Sequence, residues 1–315
     1  MNKLFISVII VTRNREDGLR KTLNNFLNQN YVNCEFIVID NYSEGINWTE
    51  FRQDFPNVKF ILLKENHSMH AFDFGLKEAK GEIIWRTDDD SNPVDLNTFE
   101  KVNIIFQKFF DIDIIATEIQ EPLFDNVITP WYPFKVNRNN VPENGYKSNT
   151  FYGAGAAIRK KVFDKIGTFW GFGYEELDFS TRAILAGFHI RYFPNIVTDH
   201  YSSRENRNEH QRLIVMAMQQ IHYHSKYFNF PRAFSRLILI IMSQNLEALT
   251  RKSNPKIFWK LNISIIKVFL KTRKNERIKV SSEMLQEITL GENFFLSTMR
   301  YFKIRINRML KKIID

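Results

Sequence analysis

This sequence predicts an α/β fold built on a mostly parallel sheet, and three observations carry the prediction. Short apolar runs at residues 5–11, 36–39, 58–63 and 81–85 alternate with stretches of helical periodicity. Each run is apolar on both faces, as strands must be when helices cover a sheet on two sides. Polar residues crowd at the ends of the runs: Thr12, Arg13 and Asn14; Asp40, Asn41 and Ser43; Glu65 and Asn66; Asp88, Asp89 and Asp90. Four such clusters at one end of a sheet make a ligand crevice, since open α/β sheets bind at the carboxyl ends of their strands.

The first strand is followed by a helix over residues 15–28, with Leu19, Leu23, Phe26 and Leu27 as its apolar face. Lys3 and the run behind it imitate a signal peptide, but Thr12-Arg13-Asn14-Arg15 ends the run without a small-residue cleavage site. After the second strand comes a polar turn at 40–45, then the third strand, then a helix over 68–80 closed by Gly81. The fourth strand delivers Trp85-Arg86-Thr87-Asp88-Asp89-Asp90, and Asn92-Pro93 turns the chain away. Three adjacent carboxylates repel one another. A hard divalent cation, magnesium or manganese, resolves that repulsion and keeps coordination positions open for phosphate oxygens. A solvated acidic turn or a helix N-cap accounts for the same residues more plainly. No G-x-G-x-x-G or P-loop follows a strand, which argues against a dinucleotide dehydrogenase or an NTPase.

Residues 122–149, with Pro122, Pro130, Pro133, Pro142 and Gly145, read as a long loop, either a lid or a disordered segment. Gly153-Ala154-Gly155-Ala156-Ala157 permits close backbone approach, to a ligand or to neighbouring chain. A helix follows over 160–166. Phe169 to Asp178 then sets Glu175, Glu176 and Asp178 against Trp170 and Tyr174. Aromatic faces stack on sugar rings, and a carboxylate among them gains proton affinity by desolvation. A helix start favoured by the macrodipole explains the same acidic pattern. A strand at 188–193 leads through Pro194 to His200, which is either structural or a metal ligand.

At 315 residues, 44% hydrophobic and 14% aromatic, the chain holds one large domain or two small ones with a proper core. Cys34 is the single cysteine, so no internal disulfide forms and a reducing compartment is expected. Residues 251–315 carry 16 Lys/Arg against 5 Asp/Glu, while residues 1–250 carry 28 against 30. A basic tail on a near-neutral body points to an anionic partner for the tail alone. No nucleic-acid motif accompanies that charge, so a nucleic-acid partner is not expected. Within the tail, Phe295, Met299, Phe302, Ile306, Met309 and Ile313 recur at steps of four and three, one apolar stripe on a helix. That stripe reads as an interfacial helix on an anionic membrane or as a face packed on protein. The longest other late apolar run, 237–242, is far below the ~20 residues that cross a bilayer.

In their order, these motifs resemble those of a family 2 glycosyltransferase with the GT-A fold, of the surface-glycan type. The similar elements are Ser7 to Arg15, Val38 to Ser43, Asn66 to Gly75, Asp88-Asp89-Asp90, Gly153 to Arg159, Tyr174 to Asp178, and Pro194 to His200. They cover residues 5–205; residues 206–315 then form a helical, basic extension to a catalytic domain at 1–205. The resemblance implies inverting transfer of a sugar from a nucleotide-diphosphate donor to a hydroxyl of a glycan or lipid-linked acceptor, assisted by manganese or magnesium. It puts Thr12, Arg13, Arg15, Asn66 and Asp89 at the donor, Asp40 on the base and Asp88 toward the ribose. Asp90 and His200 hold the metal. Glu176 falls where the family usually has an Asp and acts as general base, with Glu175 its one-residue alternative. Trp170, Tyr174 and Asp178 face the acceptor. Val11 stands for the usual Pro, Ser68 for a Gly, and Phe72-Asp73 for the frequent Arg-Asn. The implied location is cytoplasmic, peripheral on the inner face of the cell membrane. The rival reading is a sugar-nucleotide-binding module on the same fold without turnover.

Overall fold

The computed structural model describes residues 3–124, 127–128, 136–202, 209–250 and 255–290. The apolar stripe expected at 293–314 lies outside them, as does much of the long loop after Pro122. Among the described residues ten strands form one sheet.

Four of them, β1 (Ile6–Thr12), β2 (Cys34–Asp40), β3 (Val58–Leu62) and β4 (Ile83–Asp88), run parallel in the order β3-β2-β1-β4. Helices cover both faces, as the two-sided apolar runs require. On one side α1 (Glu16–Leu27) brings Leu19, Leu23 and Phe26 into a core with Val8, Ile10 and Val38. On the other, Gly75 of α3 (Ala71–Glu78) sits directly over Ile9 and Ile39. Between β2 and β3 the chain makes the short α2 (Trp48–Asp54).

The sheet continues with β5 (Ser91–Pro93), β6 (Ile114–Glu121), β7 (Val127–Ile128), β8 (Tyr146–Ser148), β9 (Ala156–Arg159) and β10 (Ile190–His200). Its order beyond β4 is β9-β6-β10-β5, with β7 on β6 and β8 on β10. The helices here are α4 (Thr98–Lys108), α5 (Lys160–Ile166) and α6 (Glu175–Leu185).

The sheet is mostly parallel, as the sequence predicts, with β9 running antiparallel to both β4 and β6. Among the described residues between β6 and β9 there is no crossover α-helix, so nothing there obliges the chain to return in the same sense. Two expectations needed correction. The helix expected from residue 68 begins at Ala71, after one tight turn at Ser68–His70, because Ser68 has a left-handed backbone (φ 53°). The strand at 188–193 runs on to His200. Its register on β6 slips between Phe193 and Val197, a bulge that accommodates Pro194 and its missing donor.

The chain divides into two compact units. The first comprises residues 1–170 and 175–205; the second comprises 171–174 and 206–315. The second is helical: α7 (Glu209–Tyr227), α8 (Phe230–Thr250), α9 (Pro255–Asn275) and α10 (Ser282–Thr289). Its core joins Ala217 and Ile221 to Ala233, Leu237 and Ile240, and to Leu261, Ile265 and Phe269. No described helix is long and apolar enough to cross a membrane.

Candidate active site

The first turn after β1 clasps the acidic end of β4. Register places Val11 beside Asp88. The Asp89 carboxylate accepts from Thr12 Oγ1 at 2.7 Å and from Arg15 Nη1 at 2.9 Å, while its carbonyl accepts from Thr22 Oγ1 at 3.0 Å. Arg15 Nη1 also donates to Asp90 Oδ2 at 2.7 Å. Burial pushes the Asp89 carboxyl up to about 6 despite the opposing pull of Arg15. Asp89 is thus the buried anchor of the turn.

Asp88 and Asp90 converge with His200. One ligand atom from each lies within 4.8 Å of the others. Strand pairing produces this: β10 runs antiparallel to β5 with His200 opposite Ser91, and Tyr201 N donates to the Asp90 carbonyl at 2.8 Å. His200 Nε2 lies 3.3 Å from Asp90 Oδ1. On the far side of the ring, Nδ1 pairs with Glu121 Oε1 at 2.8 Å, and Ser202 Oγ donates to Glu121 Oε2 at 2.9 Å. A carboxylate behind the imidazole fixes the ring so that the other nitrogen faces the acidic pair, the usual support of a metal-binding histidine. Burial lowers the proton affinity of His200, but its hydrogen bonds to Asp90 and Glu121 and the charges of Asp88 and Asp90 outweigh that and carry it to about 10. A cation bound at Nε2 has to displace that proton. Two carboxylates and one imidazole are a donor set that a divalent ion fits.

Beside this triad lies an ion pair between a buried arginine and a half-buried glutamate. Arg86 Nη1 is 3.2 Å from Glu176 Oε1 and 4.0 Å from Asp88 Oδ1. The Arg86 guanidinium also lies over the Phe169 ring, 5.1 Å from its centroid. Gly153 makes room for it: a Cβ there would stand 1.1 Å from Arg86 Nη1 and 2.4 Å from Glu176 Oε1. Burial and the neighbouring Glu175 push Glu176 up to about 8, against the pull of Arg86. Glu175 is itself buried at the start of α6.

The remaining candidates fall in two groups. At the carboxyl edge of the parallel strands, Asp40 accepts from Ser43 N at 3.0 Å, Arg13 Nε reaches the Tyr42 carbonyl at 3.4 Å, and Asn66 Oδ1 caps Ser68 N at 2.8 Å. Asn41 Oδ1 accepts from His67 N at 2.8 Å, tying the β2 and β3 ends together. Of the aromatic-segment candidates, Trp170 and Asp178 belong to the first unit and Tyr174 to the second. Asp178 is buried and accepts from Arg182 Nε at 2.7 Å, whose other nitrogens hold the Ile166 and Thr168 carbonyls. Trp170 ends a segment of the first unit, while Tyr174 packs in the second against Tyr223, ring centroids 5.7 Å apart.

Sequence reasoning overlooked Arg86, Glu121 and Thr22. Arg86 had a signal, a charge inside a strand of otherwise buried residues, which demands a carboxylate partner. Glu121 had none, since it ends β6 beside Glu118 and Gln120, polar residues that do not mark it out.

The α/β fold, with its mostly parallel sheet and helical C-terminal region, is that of the GT-A glycosyltransferases. Residues 7–167 match the family model described as glycosyl transferase family 2, and the chain belongs to that family and is a glycosyltransferase. Over 267 residues, 77% of this chain and 82% of the relative, it is 24% identical to a Methanococcus voltae protein named dolichyl N-acetyl-alpha-D-glucosaminyl phosphate 3-beta-D-2,3-diacetamido-2,3-dideoxy-beta-D-glucuronosyltransferase. The fold is similar to that of the mannosyltransferase PcManGT from Pyrobaculum calidifontis in complex with GDP-Man and Mn2+ (TM-score 0.57, 17% identity, 86% of this chain and 88% of that one). It is also similar to S. aureus TarS 1-349 in complex with UDP-GlcNAc (TM-score 0.54, 14% identity, 86% of this chain and 91% of that one).

Proposed function

We propose that this chain is an inverting, metal-assisted glycosyltransferase that moves a sugar from a nucleotide-diphosphate donor to a hydroxyl of a glycan or lipid-linked acceptor. The observation that carries the reading is Arg86, one guanidinium within 4.0 Å of both the Asp88 carboxylate and that of Glu176. It joins a candidate metal site to a candidate base, the two parts that a single displacement at an anomeric carbon needs.

In this reading Asp88, Asp90 and His200 would hold manganese or magnesium, which supplies charge neutralisation at the diphosphate of the leaving nucleotide. Thr12 and Arg15 shape the turn beneath that diphosphate through Asp89, and Asp40, Arg13 and Asn66 line the nucleotide edge. Glu176 takes the acceptor hydroxyl proton as oxygen attacks the face opposite the leaving group, so the anomeric centre inverts. Its proton affinity near 8 suits a base working close to neutral pH. Trp170, Tyr174 and Asp178 are proposed for the acceptor side. That the name of the Methanococcus voltae relative includes dolichyl N-acetyl-alpha-D-glucosaminyl phosphate supports a lipid-linked acceptor here. Peripheral attachment through the basic stripe at 293–314 belongs to the same proposal.

The test is a donor screen by thermal shift with manganese, followed by product analysis. A nucleotide sugar that raises the melting temperature and yields a product of opposite anomeric configuration supports the reading. Donor binding without transfer or hydrolysis would leave a binding module instead.

A further inference from the structure

The second unit carries an apolar surface beyond its buried core. On α8, Phe230, Phe234, Ile238 and Met242 recur every fourth residue, and all four are exposed, Phe230 at 54% and Met242 at 55%. On α9, Trp259, Ile263, Ile266 and Leu270 follow at steps of four, three and four, with Trp259 69% and Leu270 60% exposed. The two helices pack together, and Phe269 of α9 meets the edges of Phe230 and Phe234 at 6.1 and 6.4 Å between centroids. Asn262 Nδ2 donates to Asn245 Oδ1 at 2.8 Å, so the pairing runs antiparallel along the hairpin. The two exposed stripes thus run along paired helices. Leu237, Ile240, Leu261 and Ile265 are buried in the unit's core.

Charge tells what this face is for. Lys260, Lys267 and Lys271 each come one residue after an apolar member of the α9 stripe, and all three are exposed. They form a row along one flank. From residue 210 to residue 275 the sequence has 12 Lys/Arg and a single acidic residue, Glu247. A second copy docked here would bring a cationic rim against a cationic rim, with almost no carboxylate to answer it. The tail at 293–314 is basic as well, so it complements the face no better. An anionic lipid surface satisfies both halves at once: the lysine row meets headgroup phosphates, and the rings and aliphatic side chains enter the acyl boundary. Neither helix is apolar enough to span, so the hairpin lies in the plane of the interface.

We propose that the exposed α8–α9 face is an anionic-membrane docking surface, separate from the tail and independent of the transferase reading. The test uses the full chain and vesicles of phosphatidylcholine with or without phosphatidylglycerol. Wild type should co-sediment with the anionic vesicles, less so in high salt. Ile263→Ser with Leu270→Ser, and separately Lys260→Glu with Lys267→Glu and Lys271→Glu, should lower partitioning roughly tenfold or more. Because these side chains are exposed, melting temperature should stay at the wild-type value. Substituting Arg300, Lys303, Arg305 and Arg308 by Ser in the tail is the parallel arm. Loss in the tail variant alone, with the face variants sedimenting like wild type, overturns the proposal. So does absence of vesicle binding by wild type, whether or not sedimentation velocity shows a dimer that Ile263→Ser with Leu270→Ser dissociates.

Discussion

Arg86 and Glu176, ninety residues apart in sequence, meet at 3.2 Å in a space that only a glycine at 153 leaves open. The pair bears on catalysis because Arg86 opposes the burial and the Glu175 charge that raise the proton affinity of Glu176. Glu176→Gln keeps shape and hydrogen bonding but removes the proton acceptor. Turnover should fall by roughly 10²–10⁴-fold while donor binding persists. Glu175→Gln, measured beside it, should be the milder variant; the reverse order would move the base by one residue.

The pH dependence follows in sign. Glu176 must be ionised to accept a proton, and its affinity is raised from the usual carboxylate range to about 8. Activity should therefore climb as pH rises through about 8 and level off above it. Arg86→Met removes the group that favours the ionised form, so the same limb should move to higher pH. A limb that stays put in Arg86→Met would separate Arg86 from the base.

Gly153→Ala probes the space itself. The added methyl would stand 1.1 Å from Arg86 Nη1, so the guanidinium has to leave its place, and Glu176 with it. Misplacement on the scale of 1 Å is enough for roughly 10²-fold in rate. Gly153 has no left-handed backbone to strain, so the fold should survive. The informative comparison is kcat against melting temperature: a drop in both to the same degree would mean that the methyl damages packing and not the site.

Metal removal gives a separate test. Asp90 is one of three residues whose ligand atoms converge, and Arg15 and His200 both lean on it. Asp90→Ala should reduce transfer to background with the protein still folded, and excess chelator should do the same to wild type. Full activity in chelator would sink metal assistance and leave the acidic cluster as direct donor contacts.

Much of this was legible in the residues. The runs ending at Thr12, Asp40 and Asp88 are buried on both faces, and that pattern has few other meanings. The acidic triplet announced itself by repulsion. The antiparallel course of β9 was not legible, since Gly153 to Ala157 reads equally as packing or ligand approach, and the direction depends on a long excursion with no periodicity. The division of labour within the triplet was hidden too. Asp89 turns inward because Thr12 and Arg15 lie in the turn beside it, while Asp90 faces His200 because β5 pairs with β10. Both facts are tertiary. The Phe169–Asp178 segment adds a further case: one local pattern in the sequence is divided between two units, with Tyr174 in the second and Asp178, held by Arg182, in the first.

The least legible member of the site offers the last test. Glu121 touches neither Asp88 nor Asp90 by any bond described; it grips His200 Nδ1 at 2.8 Å and is held in turn by Ser202. Glu121→Gln keeps the size and one acceptor but removes the charge that orients the imidazole. Loss of such outer support typically costs 10–100-fold in metal affinity. The manganese concentration giving half-maximal activity should rise by about that factor, with activity recovering at saturating metal. Ser202→Ala, one bond further out, should raise it less. A variant whose activity is low at every manganese concentration would place Glu121 in the fold of β6 and β10, and one with unchanged metal dependence would detach His200 from the metal altogether.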